Sequence, residues 1–114
     1  MNEEQLLKTG ERINQLFSTD IKIIQNSEVF SYSVDSVLLS RFPRFPKNGL
    51  IVDFCAGNGA VGLFASSRTK AKILSVEIQE RLADMAERSV RLNGLEEQMQ
   101  VICDDLNNSL YHFL

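Results

Sequence analysis

The feature that most constrains the fold of this chain is a glycine-rich run directly behind an apolar stretch. Residues 50–52, Leu-Ile-Val, lead into Asp-Phe-Cys-Ala-Gly-Asn-Gly-Ala-Val-Gly, whose glycines are Gly57, Gly59 and Gly62. Gly57 and Gly59 permit backbone conformations that a Cβ atom would hinder, so main-chain N–H groups can approach a ligand closely. Gly62 is expected to let the following helix pack against the strand. The run predicts a strand, a tight turn and a helix around a pocket for a nucleotide-like cofactor, although a glycine turn without a ligand has the same spacing.

Strand and helix patterns alternate through the second part of the chain, residues 49–114. We expect three strands, at residues 50–54, 73–77 and 100–103. A first helix is expected at residues 59–68. A second helix is predicted by an apolar stripe at helical spacing, made up of Ile78, Leu82, Met85, Ala86 and Val90. Asp84 and Arg88 are spaced as an i,i+4 ion pair on the other side of that helix. This alternation is typical of an α/β fold with a parallel sheet and right-handed crossovers.

The first part of the chain, residues 1–48, is expected to form a smaller helix and strand segment. Apolar residues at helical spacing predict a helix over residues 3–17, and β-branched alternation predicts a short strand over residues 21–24. Residues 29–32 are expected to form another short strand. Ser33 is then expected to cap a helix that buries Val34, Val37 and Leu38.

Composition bounds the class of protein. A chain of 114 residues forms one domain at most, and its 44% apolar content is that of a globular protein. The net charge is −3 and no three basic residues are consecutive, so the sequence carries no electrostatic footprint for nucleic acid. Cys55 and Cys103 lie in apolar segments and are expected to be reduced thiols, with a disulfide between them as the alternative. His112 is the only histidine, and we expect neither a metal site nor a catalytic role for it.

The N-terminus argues for a cytoplasmic protein. Its first residues, Met-Asn-Glu-Glu-Gln, are acidic and lack the apolar core of a signal peptide. No apolar run approaches the ~20 residues that a membrane span requires, so no membrane contact is expected.

Acidic residues at the predicted strand ends suit a nucleoside cofactor. Asp53 lies beside the glycine turn, where a carboxylate attracts a positive amino group and repels a pyrophosphate, which favours S-adenosylmethionine over NAD. Glu77 ends the second strand, where a carboxylate can accept hydrogen bonds from both ribose hydroxyls. NAD sites share such an acid, so Glu77 indicates a ribose without selecting the cofactor. The alternative for Glu77 is a solvated residue at a strand end.

A third acidic position follows the third strand. Asp104 or Asp105 can accept the exocyclic amino group of an adenine, and Leu106 can cover the ring. The sequence does not separate the two acids, although Asp105 is preferred. The alternative is a polar strand end that leads into a loop.

The motif of Asp53, Gly57, Gly59 and Gly62, with Glu77 and the Asp104-Asp105 pair, resembles that of the class I S-adenosylmethionine-dependent methyltransferases. The upstream residues 11–16, 23–25 and 29–39 resemble the bacterial tRNA(Val) adenine-N6-methyltransferases of the Gram-positive branch. The resemblance implies a Rossmann-like fold with parallel strands in the order 3-2-1 and flanking helices. It also implies S-adenosylmethionine as donor, S-adenosylhomocysteine as product, and tRNA as partner.

The resemblance also implies a wider set of cofactor-binding residues. The N-terminal segment, residues 1–48, would cover the cofactor pocket, with Tyr32 and Asp35 near the methionine end. Helix capping by Ser33, with Asp35 in the first turn, is the alternative. Neighbours of the motif complete the expected set, namely Cys55, Ala56, Asn58 and Ile78.

The chain departs from that family in one respect. An adenine-N6-methyltransferase needs an Asn/Asp-Pro-Pro-Tyr/Phe motif after strand four to bind the target amino group and stack on the base. The only prolines are Pro43 and Pro46, upstream of the glycine run. We therefore expect an N-terminal piece that holds the cofactor, contains no catalytic residue and is inactive alone. Its contacts with tRNA would lie largely in the absent part, and its first strand would keep an unpaired edge through which the piece could self-associate.

Three alternatives stay open at this point. One is a methyltransferase that acts on rRNA, protein or a small molecule. Another is an NAD-binding Rossmann oxidoreductase domain, which the glycines and Glu77 favour and Asp53 disfavours. The third is a binding module without enzymatic activity.

Overall fold

The computed structural model describes residues 3–16, 19–26, 47–54 and 56–104 of the chain. The helices are α1 (Glu3–Leu6), α2 (Ala60–Ser66) and α3 (Glu80–Leu92). The strands are β1 (Arg12–Gln15), β2 (Lys22–Gln25), β3 (Leu50–Phe54), β4 (Lys72–Glu77) and β5 (Met99–Cys103). The predicted strand at residues 29–32 and the helix capped by Ser33 lie outside the described residues.

A parallel three-stranded sheet forms the second part of the structure. Its strand order is β3-β4-β5, with Leu50 opposite Lys72 and Ile73 opposite Met99. α2 connects β3 to β4, and α3 connects β4 to β5. The predicted α/β fold and the order 3-2-1 are therefore confirmed. Because the strands are parallel, their carboxyl ends meet at one edge of the sheet, where ligands bind in open α/β sheets.

The N-terminal part differs from the prediction of one long helix. Among the described residues of this part, α1 alone is helical, and β1 pairs antiparallel with β2, with Arg12 opposite Gln25 and Gln15 opposite Lys22. Gly10 has a φ of 81°, which breaks the helical path between the two elements. Pairing with β2 then satisfies the backbone of β1, so tertiary context overrides the helical spacing. The predicted strand at residues 21–24 is confirmed as β2.

α3 buries most of the predicted apolar stripe. Leu82, Met85, Ala86 and Val90 lie inside, whereas Ile78 is 65% exposed and precedes the helix, which begins at Glu80. Ile78 was therefore wrongly included in the stripe. The predicted burial of the other four residues of the stripe is confirmed.

The two parts of the chain share one core. Leu16 and Ile23 from the N-terminal part are fully buried in a cluster that includes residues from α2, α3, β4 and β5. A second cluster joins Leu6 and Ile24 to Leu82 and Met85 of α3. The described residues of the N-terminal part are thus integral to the hydrophobic core.

β3 is the exposed member of the sheet. Among the described residues it pairs with β4 alone, and its alternate side chains Leu50, Val52 and Phe54 are 57%, 39% and 43% exposed. This arrangement agrees with the expected open edge, while self-association through it stays a prediction. No helix in the described part of the chain is both long enough and apolar enough to cross a membrane.

Candidate functional site

The glycine turn connects β3 to α2 at the carboxyl edge of the sheet. Gly57 and Gly59 have φ angles of 59° and 90°, a region that residues with a Cβ atom rarely adopt. The N–H of Gly59 donates to the Ala56 carbonyl over 3.0 Å, and the N–H of Ala56 donates to the Val76 carbonyl over 3.0 Å. The predicted conformational need for these two glycines is confirmed.

Gly59 and Gly62 also permit close packing. A Cβ atom at Gly59 would lie 3.1 Å from the Cβ of Ala86 in α3. A Cβ atom at Gly62 would lie 2.7 Å from Met99 Cε and 2.9 Å from Ser75 Oγ. The three atoms nearest to such a Cβ atom thus belong to β5 and β4, so Gly62 lets α2 approach these two strands closely.

Glu77 holds the glycine turn in place. Its side chain is buried at the end of β4, where Oε1 accepts the N–H of Gly57 over 2.8 Å and Oε2 accepts the N–H of Gln79 over 2.9 Å. Glu77 is therefore not the solvated residue of the alternative interpretation. A carboxylate has about four lone-pair positions, so each oxygen keeps capacity for a further donor.

Asp53 is the electrostatically unusual member of the site. It is half-buried near the end of β3, and its Oδ2 is buried with no hydrogen-bond partner in the described structure. Burial, followed by the negative charge of Glu77, raises the pKa of Asp53 to about 6. A buried carboxylate oxygen without a donor is costly, so such an oxygen indicates a position that a ligand can satisfy.

The remaining predicted residues divide into three groups. The N–H of Asp104 donates to the Glu77 carbonyl over 3.2 Å, which places Asp104 at the same sheet edge. Ala56 and Asn58 are buried in the glycine turn, whereas the side chain of Ile78 projects into solvent. Five candidates lie outside the described residues, namely Tyr32, Asp35, Cys55, Asp105 and Leu106.

Two long-range contacts were not predicted from the sequence, one at the glycine turn and one between α3 and the N-terminal part. Asn58 Nδ2 donates to the Ile24 carbonyl in β2 over 3.3 Å. The guanidinium of Arg88 binds both carboxylate oxygens of Glu11, with Nη2 2.7 Å from Oε2. These partners are 34 and 77 positions apart in the chain, so no local pattern signals them. Within the described ranges, no His, Cys, Asp and Glu side chains cluster as a metal site requires.

Comparison with known families and curated proteins gives matches over most of the chain. Residues 20–113 match the family described as methyltransferase small domain. A tRNA1(Val) (adenine(37)-N6)-methyltransferase from Shewanella halifaxensis (strain HAW-EB4) is 30% identical over 74 residues, covering 65% of this chain and 30% of that protein. A protein of the same name from Bacteroides fragilis (strain YCH46) is 28% identical over 82 residues, covering 67% of this chain and 35% of that protein. The chain thus matches about a third of the length of these relatives.

A solved structure shows the same fold. TYW2 from P. horikoshii, crystallised in complex with MeSAdo, superimposes with a TM-score of 0.70 at 20% identity, covering 86% of this chain and 37% of that one. At this identity the likeness concerns the fold alone.

Proposed function

This chain belongs to the methyltransferase small domain family, and we propose that it forms the S-adenosylmethionine site of a tRNA-modifying methyltransferase. When bound, the donor supplies an electrophilic methyl group on a sulfonium. The residues of this chain bind and orient the donor, and none of those described is assigned a catalytic role.

The unsatisfied carboxylate oxygen of Asp53 is the observation that carries this proposal. It lies beside the glycine turn and requires a donor. The positive amino group of S-adenosylmethionine is both a donor and a counter-charge, whereas the pyrophosphate of NAD would add a negative charge next to Asp53 and Glu77. Family membership also favours methyl transfer over the oxidoreductase alternative.

The other acidic side chains fit the rest of the donor. Glu77 holds Gly57 and retains lone pairs that can accept a ribose hydroxyl. We assign Asp104, or its neighbour Asp105, to the adenine amino group. The N–H groups of Gly57 and Gly59 already donate within the protein, so we assign these glycines to close approach of the donor, while Ala56 and Ile78 line the turn and its rim. Tyr32, Asp35, Cys55 and Leu106 complete the proposed set from outside the described residues.

The proposed substrate of the whole protein is an adenine of tRNA, methylated at N6. The names of the two curated relatives support this assignment. The base-binding and catalytic groups would belong to parts beyond the matched third of those relatives, and so would most RNA contacts. A methyltransferase for rRNA, protein or a small molecule is the alternative.

The test of the donor site is calorimetric titration of the chain with S-adenosylhomocysteine and, separately, with NAD. We expect binding of S-adenosylhomocysteine alone, weakened about tenfold to a hundredfold by Asp53→Asn, the effect of losing a charged hydrogen-bond partner. Asp20→Asn is the matched control, because Asp20 is an exposed acid in the turn between β1 and β2. Preference for NAD, or equal effects of the two variants, would overturn the proposal.

Self-association through the open side of β3 is a separate proposal. An unpaired strand edge presents free backbone groups, and the exposed Leu50, Val52 and Phe54 add apolar area beside it. Sedimentation velocity at increasing concentration should show a dimer that Val52→Lys suppresses. A concentration-independent monomer would contradict this proposal without affecting the donor site.

A further inference from the structure

A side-chain hydrogen bond from Asn58 attaches the glycine turn to the N-terminal ribbon, defined as β1 and β2. Asn58 lies between the two positive-φ glycines and is fully buried. Its Nδ2 donates to the carbonyl of Ile24, which lies on the side of β2 that faces away from β1. A carbonyl can only accept, so the amide nitrogen must be the atom that faces it.

The same side of β2 is held by α3 at its other backbone groups. Ser89 Oγ accepts the N–H of Ile24 over 2.9 Å. Asn93 accepts the N–H of Lys22 over 2.7 Å through Oδ1 and donates to its carbonyl over 2.6 Å through Nδ2. The side chains of Asn58, Ser89 and Asn93 thus form hydrogen bonds with backbone groups of β2 that would otherwise pair with a neighbouring strand. Of these three, Asn58 alone comes from the glycine turn.

The turn is therefore held from two sides. Glu77 fixes Gly57 from β4, and Asn58 fixes the next residue to β2. Gly57 and Gly59 have no Cβ atom, so the turn can adopt many backbone conformations unless a contact selects one. Removal of either hydrogen bond should therefore lower the population of the turn conformation that can bind a ligand.

We propose that Asn58 is a positioning residue, which ties the ribbon to the glycine turn and thereby sets the affinity of the donor site. The effect of Asn58 on donor affinity rests on the proposed function, whereas its effect on the conformation of the turn does not. The ribbon is then part of the binding machinery, although its described residues are not assigned any contact with the donor.

The test compares Asn58→Ala with Ser89→Ala, because both remove one hydrogen bond to Ile24 and only the first comes from the turn. For both variants we would measure stability by urea denaturation, affinity for S-adenosylhomocysteine, and the hydrogen-exchange protection of the Gly57 and Gly59 amides. Protection factors correct for the altered side chain next to these amides. We expect similar losses of stability, but about tenfold weaker binding and about tenfold lower protection in Asn58→Ala alone.

A conservative variant sharpens the comparison. Asn58→Asp keeps the shape but places a carboxylate oxygen against the Ile24 carbonyl, so it should lose at least as much protection as Asn58→Ala. Equal protection and equal affinity in the Asn58→Ala and Ser89→Ala variants would overturn the proposal. The exchange measurement needs no ligand, so it tests the coupling even if the wild-type chain binds no S-adenosylhomocysteine, a result that would instead contradict the proposed function.

Discussion

Asp53, our proposed partner for the amino group of the donor, lies in a position where its ionised form lowers the stability of the fold. Its carboxylate is half-buried, has an oxygen without a partner, and feels the charge of Glu77. The ionised form is therefore disfavoured in the folded chain relative to the unfolded chain. A residue under this constraint is expected where a ligand later supplies the missing donor.

The first prediction concerns stability. The pKa of Asp53 is raised from 3.8 to about 6, so the folded state holds the proton more tightly and wild-type stability falls as the pH rises through that window. We expect Asp53→Asn to raise the free energy of unfolding by about 1–2 kcal/mol at pH 7. At pH 4 the gain should shrink strongly, as urea denaturation at both pH values would show. A gain of the same size at pH 4 would contradict this cause, and Asp20→Asn should change stability by less than about 0.5 kcal/mol.

The second prediction concerns the pH dependence of binding. In the proposed site, ionised Asp53 would attract the positive amino group of the donor, and protonated Asp53 would not. Affinity for S-adenosylhomocysteine should be constant between pH 7 and pH 8 and fall as the pH drops through about 6. Titrations between pH 5 and 8 should show this fall in the wild type and in Asp20→Asn. Asp53→Asn should bind weakly at every pH, and a retained pH dependence in that variant would assign the titration to another group.

At the scale of elements, Arg88 joins α3 to the chain just before β1. Its side chain and that of Glu11 are 6% and 3% exposed, and Arg88 Nη1 also donates to the Leu6 carbonyl over 2.7 Å. The hydrogen bonds from Arg88 hold the pKa of Glu11 below its usual value. The stabilising contribution of Glu11 is therefore present at neutral pH and is lost as the pH falls through that lowered pKa.

The third prediction follows from the burial of this pair. Arg88→Met leaves the Glu11 carboxylate buried without its charged partner, with the N–H of Lys8 as a remaining donor, and should cost about 3–5 kcal/mol in urea denaturation. The double variant Glu11→Leu with Arg88→Met should be less destabilised than the sum of the two single variants. Glu3→Gln is the control, because Glu3 pairs with Lys22 at the surface, where such pairs contribute about 0–1 kcal/mol. A single-variant cost no larger than that of the control would contradict the structural importance of Arg88.

Elements were predictable where sequence pattern and tertiary context agree. β3, α2, β4, α3 and β5 combine apolar runs with glycine or polar boundaries, and each lies near its expected position. β1 was missed because the helical spacing of Ile13 with its neighbours is overridden by pairing with β2. The positions of Glu77 and Asp53 at the ends of neighbouring strands could be predicted from the strand boundaries, whereas their roles in donor binding stay predictions. The Asn58 and Arg88 contacts could not, because they depend on how the ribbon docks.

At the scale of the whole molecule, the ribbon and the parallel sheet depend on the same core. Leu16 and Ile23 pack in one cluster with Leu63 and Phe64 of α2 and with Ile73 of β4. The described residues of the two parts are therefore packed as one unit, while the cofactor-covering role of the N-terminal segment stays a prediction. Cooperative unfolding is the physical consequence of such sharing.

The last prediction tests this cooperativity. Leu16 is fully buried, so Leu16→Ala should cost about 2–5 kcal/mol through lost burial and the cavity that remains. Because the core is shared, amide hydrogens of β2 and of β4 should lose protection together under increasing denaturant, in the wild type and in the variant. Leu50→Ala is the control, since Leu50 is 57% exposed on β3 and its truncation should cost less than about 1 kcal/mol. Loss of protection in β2 well before β4 would show that the ribbon unfolds as an independent unit, and the coupling of the ribbon to the glycine turn would then have to be local to Asn58.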